Sequence, residues 1–447
     1  MLKKILGAIL ATSMLFSTNV LAEEFSTQPM ISSGSTWNLA LKSDGTVWAW
    51  GLNEYGVIAN GTVKYAQFPT QIKGLKDIVQ VNAKSDFGMA LDNTGKVWVW
   101  GKEYNNEEET DKSHKMDNSN AIFTSKDATP KVISDISDVK EIDGYGNTAI
   151  AVKKDGTVWS WDNSKINIGK KNIVAPKQVQ GLSDVKSIAM GETYNNNDSY
   201  YAIALKNDGT VWDWGDSKNG YIQRVNKNKE SEPQQILYLK DVTKIDAGED
   251  VLLALDKDGA VWSWGDKENG KLGRDKAPLL MPQKIDGLNK IVDIKVGYDH
   301  SLALSSDGKV YGWGDNTEGE LGKDGMTGRI EKSKTGNSSE IRFFAETPIE
   351  VPNVTNSVGI EAGHNFSMFI TKDDSVLSCG ENDYNQLARR KETTKNVVGK
   401  VKNSDKTEFN IGIAKWYLEQ INLINLIQYK KDLWNFFYRS FVFNQVF

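Results

Sequence analysis

Leu39-Ala40-Leu41-Lys42-Ser43-Asp44-Gly45-Thr46-Val47-Trp48-Ala49-Trp50-Gly51 is the stretch whose reading decides the fold. Two short apolar runs flank a polar turn ending in Asp-Gly. That dipeptide is a strong hairpin signal, because Gly takes positive φ without a Cβ penalty. Strand alternation puts Trp48 and Trp50 on one face and Val47, Ala49 and Gly51 on the other. The phrase recurs along the chain. Its Val-Trp-x-Trp-Gly part returns as Trp98-Val99-Trp100-Gly101, Trp159-Ser160-Trp161-Asp162, Trp212-Asp213-Trp214-Gly215, Trp262-Ser263-Trp264-Gly265 and Tyr311-Gly312-Trp313-Gly314, and it decays to Leu377-Ser378-Cys379-Gly380. Seven co-linear copies at a period of about 50 residues, with strand signals, belong to a propeller rather than a helical solenoid.

Between copies runs a second pattern, as in Pro69-Thr70-Gln71-Ile72 followed by Ile78-Val79-Gln80-Val81. It adds two strands per repeat. Pro at the start of a strand suits an edge, where its missing N–H does no harm. The expected fold is all-β: a seven-bladed β-propeller of four-stranded blades, with a non-repeat C-terminal tail. The Trp pairs occupy repeat positions, so they read as core between blades rather than as a sugar platform. Trp37 departs from the pattern near the axis and reads as an exposed aromatic contact. Ring closure is expected from the N-terminal inner-type strand Met30–Ser33 pairing into the last blade, with an outer strand from residues 395–402.

The repeat resembles the regulator of chromosome condensation family, whose consensus runs Gly-x-x-His-Ser-x-Ala-Leu, Asp-Gly-x-Val, Trp-Gly-x-Asn and Gly-Gln-Leu-Gly. The sixth copy shows it best, with Gly297-Tyr298-Asp299-His300-Ser301-Leu302-Ala303-Leu304, then Trp313-Gly314-Asp315-Asn316, then Gly319-Glu320-Leu321-Gly322. The resemblance covers roughly residues 28–390 and implies a seven-bladed propeller. The family's namesake is a nucleotide-exchange factor and chromatin binder. Fold does not carry function with it, and no exchange-factor loop can be matched here.

The chain begins with Lys3 and Lys4, an apolar run from Ile5 to Phe16 and Val20-Leu21-Ala22. This order reads as a secretory signal peptide cleaved near Ala22. The expected organisation is residues 1–22 as signal peptide, 23–402 as propeller and 403–447 as an aromatic-rich tail, either helical over 413–429 or a reading-frame accident. The expected location is secreted or cell-surface. One cysteine, Cys379, excludes an intramolecular disulfide. A net charge of −5 gives no basic field for nucleic acid.

No nucleophile elbow, phosphate loop or His-Glu-x-x-His occurs. No catalytic residue, metal site or cofactor is therefore expected. Asp256-Lys257-Asp258-Gly259 resembles the start of a calcium loop, but a strand follows at once, so it reads as a hairpin. His300 reads as a structural turn contact. His at the family position gives way to Trp37, Asp86, Asn147, Val251 and Phe366 in other copies, which makes no metal or catalytic ring.

The long insertions, residues 102–128 and 323–346, both follow a Trp-Gly strand and should emerge on one face. Long loops on a rigid scaffold are where binding concentrates. The second carries an apolar tip, so the candidate binding residues are Ile341, Arg342, Phe343 and Phe344, with Trp37. The expectation is a non-enzymatic, monomeric binding module for a protein or cell-envelope polymer, with membrane contact only through the tail. The alternatives are an extracellular hydrolase of polysaccharide or peptidoglycan, marked by paired carboxylates at the tunnel mouth, and an exchange or chromatin role by family analogy.

Overall fold

The structure is a computed structural model. It describes residues 25–412 apart from 54, 62–64, 85–86, 102–128, 147, 163–174, 193–199, 216–231, 275–280, 325, 327, 333–338 and 390–395. The signal-peptide reading, the 102–128 insertion and the 413–429 helix therefore lie outside the described residues. No helix among those described is long and apolar enough to cross a membrane.

The Asp-Gly turn folds the same way from blade to blade. Asp44 Oδ1 accepts from the Thr46 amide at 2.9 Å and from the Thr46 hydroxyl at 2.6 Å, and Thr46 Oγ1 accepts from the Trp48 indole at 3.1 Å. Asp155–Trp159 and Asp208–Trp212 repeat this arrangement. At the calcium-like stretch, Asp256 accepts from its own turn amides and from Trp262 Nε1, so the hairpin reading holds. The strands around each turn form seven antiparallel sheets set in a ring.

Blade one contains β1 (Met30–Ser33), β2 (Trp37–Leu41), β3 (Val47–Gly51) and β4 (Ala66–Gln71). Blade two contains β5 (Ile78–Ala83), β6 (Phe87–Asp92), β7 (Val97–Gly101) and β8 (Lys131–Val132). Blade three contains β9 (Val139–Tyr145), β10 (Thr148–Lys153), β11 (Val158–Asp162) and β12 (Lys177–Gln178). Blade four contains β13 (Val185–Glu192), β14 (Tyr200–Lys206), β15 (Val211–Gly215) and β16 (Gln234–Gln235). Blade five contains β17 (Val242–Ala247), β18 (Val251–Asp256), β19 (Val261–Gly265) and β20 (Gln283–Lys284). Blade six has five strands, β21 (Ile291–Val296), β22 (His300–Ser305), β23 (Val310–Asp315), β24 (Gly328–Lys332) and β25 (Ser339–Glu350), in the order β21-β22-β23-β25-β24. Blade seven contains β26 (Ser357–Ala362), β27 (Phe366–Thr371), β28 (Val376–Gly380) and β29 (Gly399–Lys400).

The indoles hold neighbouring blades together. Trp50, Trp264 and Trp313 are fully buried, and three second-position indoles donate to a carbonyl of the preceding blade. Trp100 Nε1 reaches the Val57 carbonyl at 2.6 Å, Trp313 reaches Lys271 at 2.9 Å and Trp50 reaches Gln386 at 2.8 Å. Blade seven lacks the Trp, and Cys379 Sγ donates to the Glu320 carbonyl in its place. The third strand ends on a glycine where backbone approaches backbone. Gly265 has φ 121°, and a Cβ there would run into the Asp250 carbonyl.

Ring closure differs from the sequence expectation in one respect. β29 does supply blade seven's outer strand, but β1 pairs only with β2 of its own blade, so blade seven keeps its own inner strand. The junction is closed instead by residues 403–411, a stretch the sequence reading gives to the tail. The Ile411 amide donates to the Asp374 carbonyl of blade seven, and the Ile411 carbonyl accepts from the Ser43 amide of blade one. Between blades two and three, Val139 bonds to Gly95 and Asp138 to Lys154 in the same pattern. Phe409 is 1 % exposed and lies edge-on to Trp48 and Trp50. This strap has no repeat phrase, so periodicity does not reveal it.

Candidate binding face

Each blade's first and third strands end on the same side of the ring. The turns after the inner strands and the connections after the third strands therefore share one face, here called the insertion side. The axial channel runs between the inner strands, a cavity of about 540 Å³ lined by residues from all seven blades. On the insertion side its lining reaches Ser35, Lys84, Tyr145, Glu249, Tyr298 and His364, each at or close behind the end of an inner strand.

Polar side chains in the channel bridge blades. Asp143 Oδ2 accepts from the Met190 amide at 2.8 Å, Asp246 Oδ2 from Val296 at 2.7 Å and Glu361 Oε1 from Ser33 at 3.1 Å. Glu141 Oε1 accepts from the Ile188 amide and the Ser187 hydroxyl. Lys84 pairs with Asp143 at 2.9 Å and Lys295 with Glu361 at 2.9 Å. Burial raises the Glu141 and Asp246 carboxyls to about 7, against the hydrogen bonds to Glu141 and, at Asp246, against the Lys295 charge and the Val296 amide. The carboxylates that a hydrolase reading looks for are thus present, but each of these four has an oxygen committed to the next blade.

A second cluster sits beneath the insertion side of blades five and six. Lys271 comes from the Gly-x-Leu-Gly turn after β19 and is 1 % exposed. It pairs with Glu249 at 3.1 Å and with Asp299. Burial alone would lower its ammonium; Asp299 and Glu249 overcome that and hold it above the ordinary lysine range. Arg342 contacts Asp299 at 3.4 Å and Asp315 at 3.1 Å. Burial raises Asp315 despite its bonds to Thr317. Above this network the Tyr298 and His364 rings stack with centroids 3.8 Å apart.

The five sequence candidates separate. Ile341 is 57 % exposed, and Phe343 and Phe344 are half-buried. The 323–346 insertion is not a loop throughout: β24 and β25 form a hairpin with Ile330 opposite Ile341. Arg342 is engaged by two carboxylates and braces that hairpin against blade six. Phe343 adds backbone bonds, its carbonyl accepting from Asn316 at 2.6 Å. Trp37 is not the exposed aromatic expected from sequence. It is 1 % exposed, and its Nε1 donates to the Lys84 carbonyl of blade two at 2.6 Å.

The register explains the burial. The position opposite the repeat's Gly after the second aromatic (Asp162 in blade three) holds Trp37, Phe87, Thr148, Tyr201, Val251, His300 and Phe366. The sequence reading placed Asp86 and Asn147 there, each one residue early. Five of the seven carry rings, and Trp37, Phe87, Tyr201, His300 and Phe366 are all buried. His300 is structural as expected: 2 % exposed, its Nε2 against Ser367 Oγ at 2.9 Å, its pKa lowered by burial to about 4. Among the described residues no group of three or more His, Cys, Asp or Glu is placed to hold a metal ion. The buried Lys271 network escaped the sequence reading, because its members are a turn residue and scattered acids with no fixed spacing.

Fold and face together define a propeller scaffold with a built-up insertion side. Profiles of the regulator of chromosome condensation (RCC1) repeat match residues 44–91, 258–304 and 307–370, and, in a second form, residues 78–107, 291–320 and 358–386. The chain belongs to the RCC1 repeat family. It is 28 % identical over 212 residues to the E3 ubiquitin-protein ligase HERC2 of Homo sapiens and, to the same extent, of Mus musculus. That match covers 46 % of this chain and only 4 % of either ligase. Among solved structures it resembles yeast RCC1 (Prp20) in complex with Kap60, at TM-score 0.65 and 20 % identity over 86 % of both chains. It also resembles Prp20p of Saccharomyces cerevisiae, at TM-score 0.63 and 20 % identity over 85 % of this chain and 88 % of the other. Human WBSCR16 follows at TM-score 0.57 and 18 % identity, covering 77 % and 87 %. At these identities the structural likeness concerns the fold.

Proposed function

We propose that the chain is an exported, non-enzymatic binding module that holds a protein partner on the insertion side of blades five to seven. The observation that carries this reading is the β24–β25 hairpin. It presents Ile341 to solvent beside half-buried Phe343 and Phe344, on a base fixed by Arg342 between Asp299 and Asp315. An exposed apolar side chain on a strand held in place loses little freedom on binding, and this is what a binding hot spot needs. Protein partners also fit the relatives: Prp20 is seen with Kap60, and Prp20p has described binding to Gsp1p and histones. Export rests on Lys3, Lys4, the apolar run from Ile5 to Phe16 and Val20-Leu21-Ala22.

The test compares the immobilised full chain with Ile341→Asp. Proteins retained from the native host's extracytoplasmic fraction are quantified on both, after equal melting temperatures are confirmed. At least one partner should fall by about tenfold or more on Ile341→Asp, as for loss of a hot-spot side chain. Identical retention removes the hairpin from the reading. N-terminal sequencing of the native protein should begin at Glu23; a cytoplasmic protein starting at Met1 removes export.

A further inference from the structure

The axial channel contains acceptors that the fold does not use. Glu141 and Asp246 each commit one oxygen to the next blade, Glu141 through Oε1 and Asp246 through Oδ2. Among the described residues, the second oxygen of each makes no hydrogen bond, and neither carboxylate has a direct ion-pair partner. Each of the four lysines lining the channel has its own partner: Lys84 pairs with Asp143, Lys295 with Glu361 and Lys244 with Asp293, and Lys186 donates to the Thr243 carbonyl.

An independent feature lies on the blade-two wall. Asn82 lines the same channel, is 8 % exposed, and its Oδ1 has no hydrogen-bond partner. The amide cannot be turned to relieve this. Its Nδ2 donates to Asp143 Oδ1 at 2.8 Å, and a flip would set oxygen against carboxylate. A buried unpaired amide oxygen costs free energy that a donor entering the channel would recover. The cavity, at about 540 Å³, is in the range of small-ligand pockets.

We infer that the axial channel binds a slender alkylammonium cation, either a free polyamine or a lysine side chain presented by a partner, whose N–H groups satisfy Asn82 Oδ1 and the free oxygens of Glu141 and Asp246. An ammonium has three donors and no acceptor, which matches a site made of unpaired acceptors. Burial raises the two carboxyls to about 7 against the partial pull of Lys295 on Asp246 and of Lys140 on Glu141, and a further cation in the channel would draw them back toward their ordinary range.

The test is titration calorimetry of the full chain at 0.3 M NaCl with two probes. One is spermidine. The other is acetyl-Gly-Gly-Lys-Gly-Gly-amide, with the peptide acetylated on its lysine as the neutral control. Saturable binding of spermidine alone assigns a free amine, and binding of the lysine peptide alone assigns a side chain; either supports the inference, provided the acetylated peptide is silent. Glu141→Gln and Asp246→Asn should each weaken the active probe by about tenfold. Asp241→Asn, at an exposed pair outside the channel, should change nothing. Asn82→Leu supplies a second variant that removes no charge and should also weaken binding. No saturable heat with either probe, or equal affinity in all four variants, overturns the inference. Ile341→Asp should leave probe affinity intact, so failure of the hairpin reading and failure of this one are separable.

Discussion

Replacing Phe409 with Ala tests whether the strap closes the ring. Phe409 is 1 % exposed, with ring centroids 5.9 Å from Trp48 and 5.6 Å from Trp50, both edge-on. Lys42 Nζ lies 4.8 Å from its ring centre. A buried Phe-to-Ala change costs about 3–5 kcal/mol, the cavity included. The lost edge-to-face pairs belong to the upper part of that range. Phe409→Leu keeps most of the volume and should cost about 1–1.5 kcal/mol. The assay is urea unfolding followed by tryptophan fluorescence, which reports directly because Trp48 and Trp50 are the strap's partners. Two truncations bracket the point. Ending the chain after Gly412 keeps the strap and serves as the reference. Ending it after Lys402 removes Ile411 as well, including its bonds to Asp374 and Ser43, and should cost more than Phe409→Ala. A cost below about 1 kcal/mol for Phe409→Ala, or equal stability of the two truncations, would refute the account of closure.

Arg342→Ala should free the hairpin and leave Asp315 without its cation, while Asp299 keeps Lys271, at a cost of about 1–3 kcal/mol. Limited proteolysis should cut between residues 328 and 344 faster than in the parent, and unchanged cleavage contradicts the bracing role. Cys379 is fully buried, and burial pushes its thiol up to about 12. Ellman's reagent should label it only as the chain unfolds, so prompt labelling of the native protein counts against blade seven as described. Glu141 and Asp246 have folded pKa values near 7, above their ordinary values of 4.5 and 3.8. A raised acid favours the fold while it is protonated, so this contribution is full below about pH 4 and is lost as pH rises toward 7. His300 works in the opposite sense: lowered from 6.5 to about 4, it weakens the fold as pH falls through that window. The double variant Glu141→Gln/Asp246→Asn should flatten the decline in melting temperature between about pH 5 and 7.5; an unaltered slope refutes the assignment.

The hairpins, the blade count and the indole core were legible because each rests on a rule local to the chain. Asp-Gly sets the turn, alternation sets the face, and the period sets the number of blades. Trp37 failed because its burial depends on the next blade: the Lys84 carbonyl that receives its indole is far along the sequence. The slip to Asp86 and Asn147 has the same cause, since only pairing opposite Gly101 and Asp162 shows that Phe87 and Thr148 hold those places. The strap was hidden because Phe409 and Ile411 imitate a junction without copying its sequence. The Ile341–Phe344 run was found by its composition, but its place on the arm of a hairpin and the salt bridges that hold Arg342 were not, because Asp299 and Asp315 sit in ordinary repeat positions.

The division of labour among polar groups points to where recognition resides. At the junctions described, an indole or thiol is spent on the preceding blade, a hairpin carbonyl on the following inner strand, and an axial side chain on the following backbone amide. Substitution there strains the ring itself, so those positions are constrained by closure before any partner is considered. Two kinds of position escape the constraint. One is the insertion-side end of the inner strand, which in six blades runs from Ser35 through Lys84, Tyr145 and Glu249 to Tyr298 and His364 without a common chemistry. The other is the part of a third-strand connection that carries no carbonyl acceptor for the neighbouring blade's indole or thiol, as in the β24–β25 hairpin. Both lie on the insertion side, and they meet where Asp299, immediately behind Tyr298, holds Lys271 with one oxygen and Arg342 with the other. One carboxylate thereby ties the channel rim to the hairpin. Asp299→Asn should therefore disturb the Tyr298–His364 stack and the hairpin together, whereas two unrelated surfaces would respond one at a time.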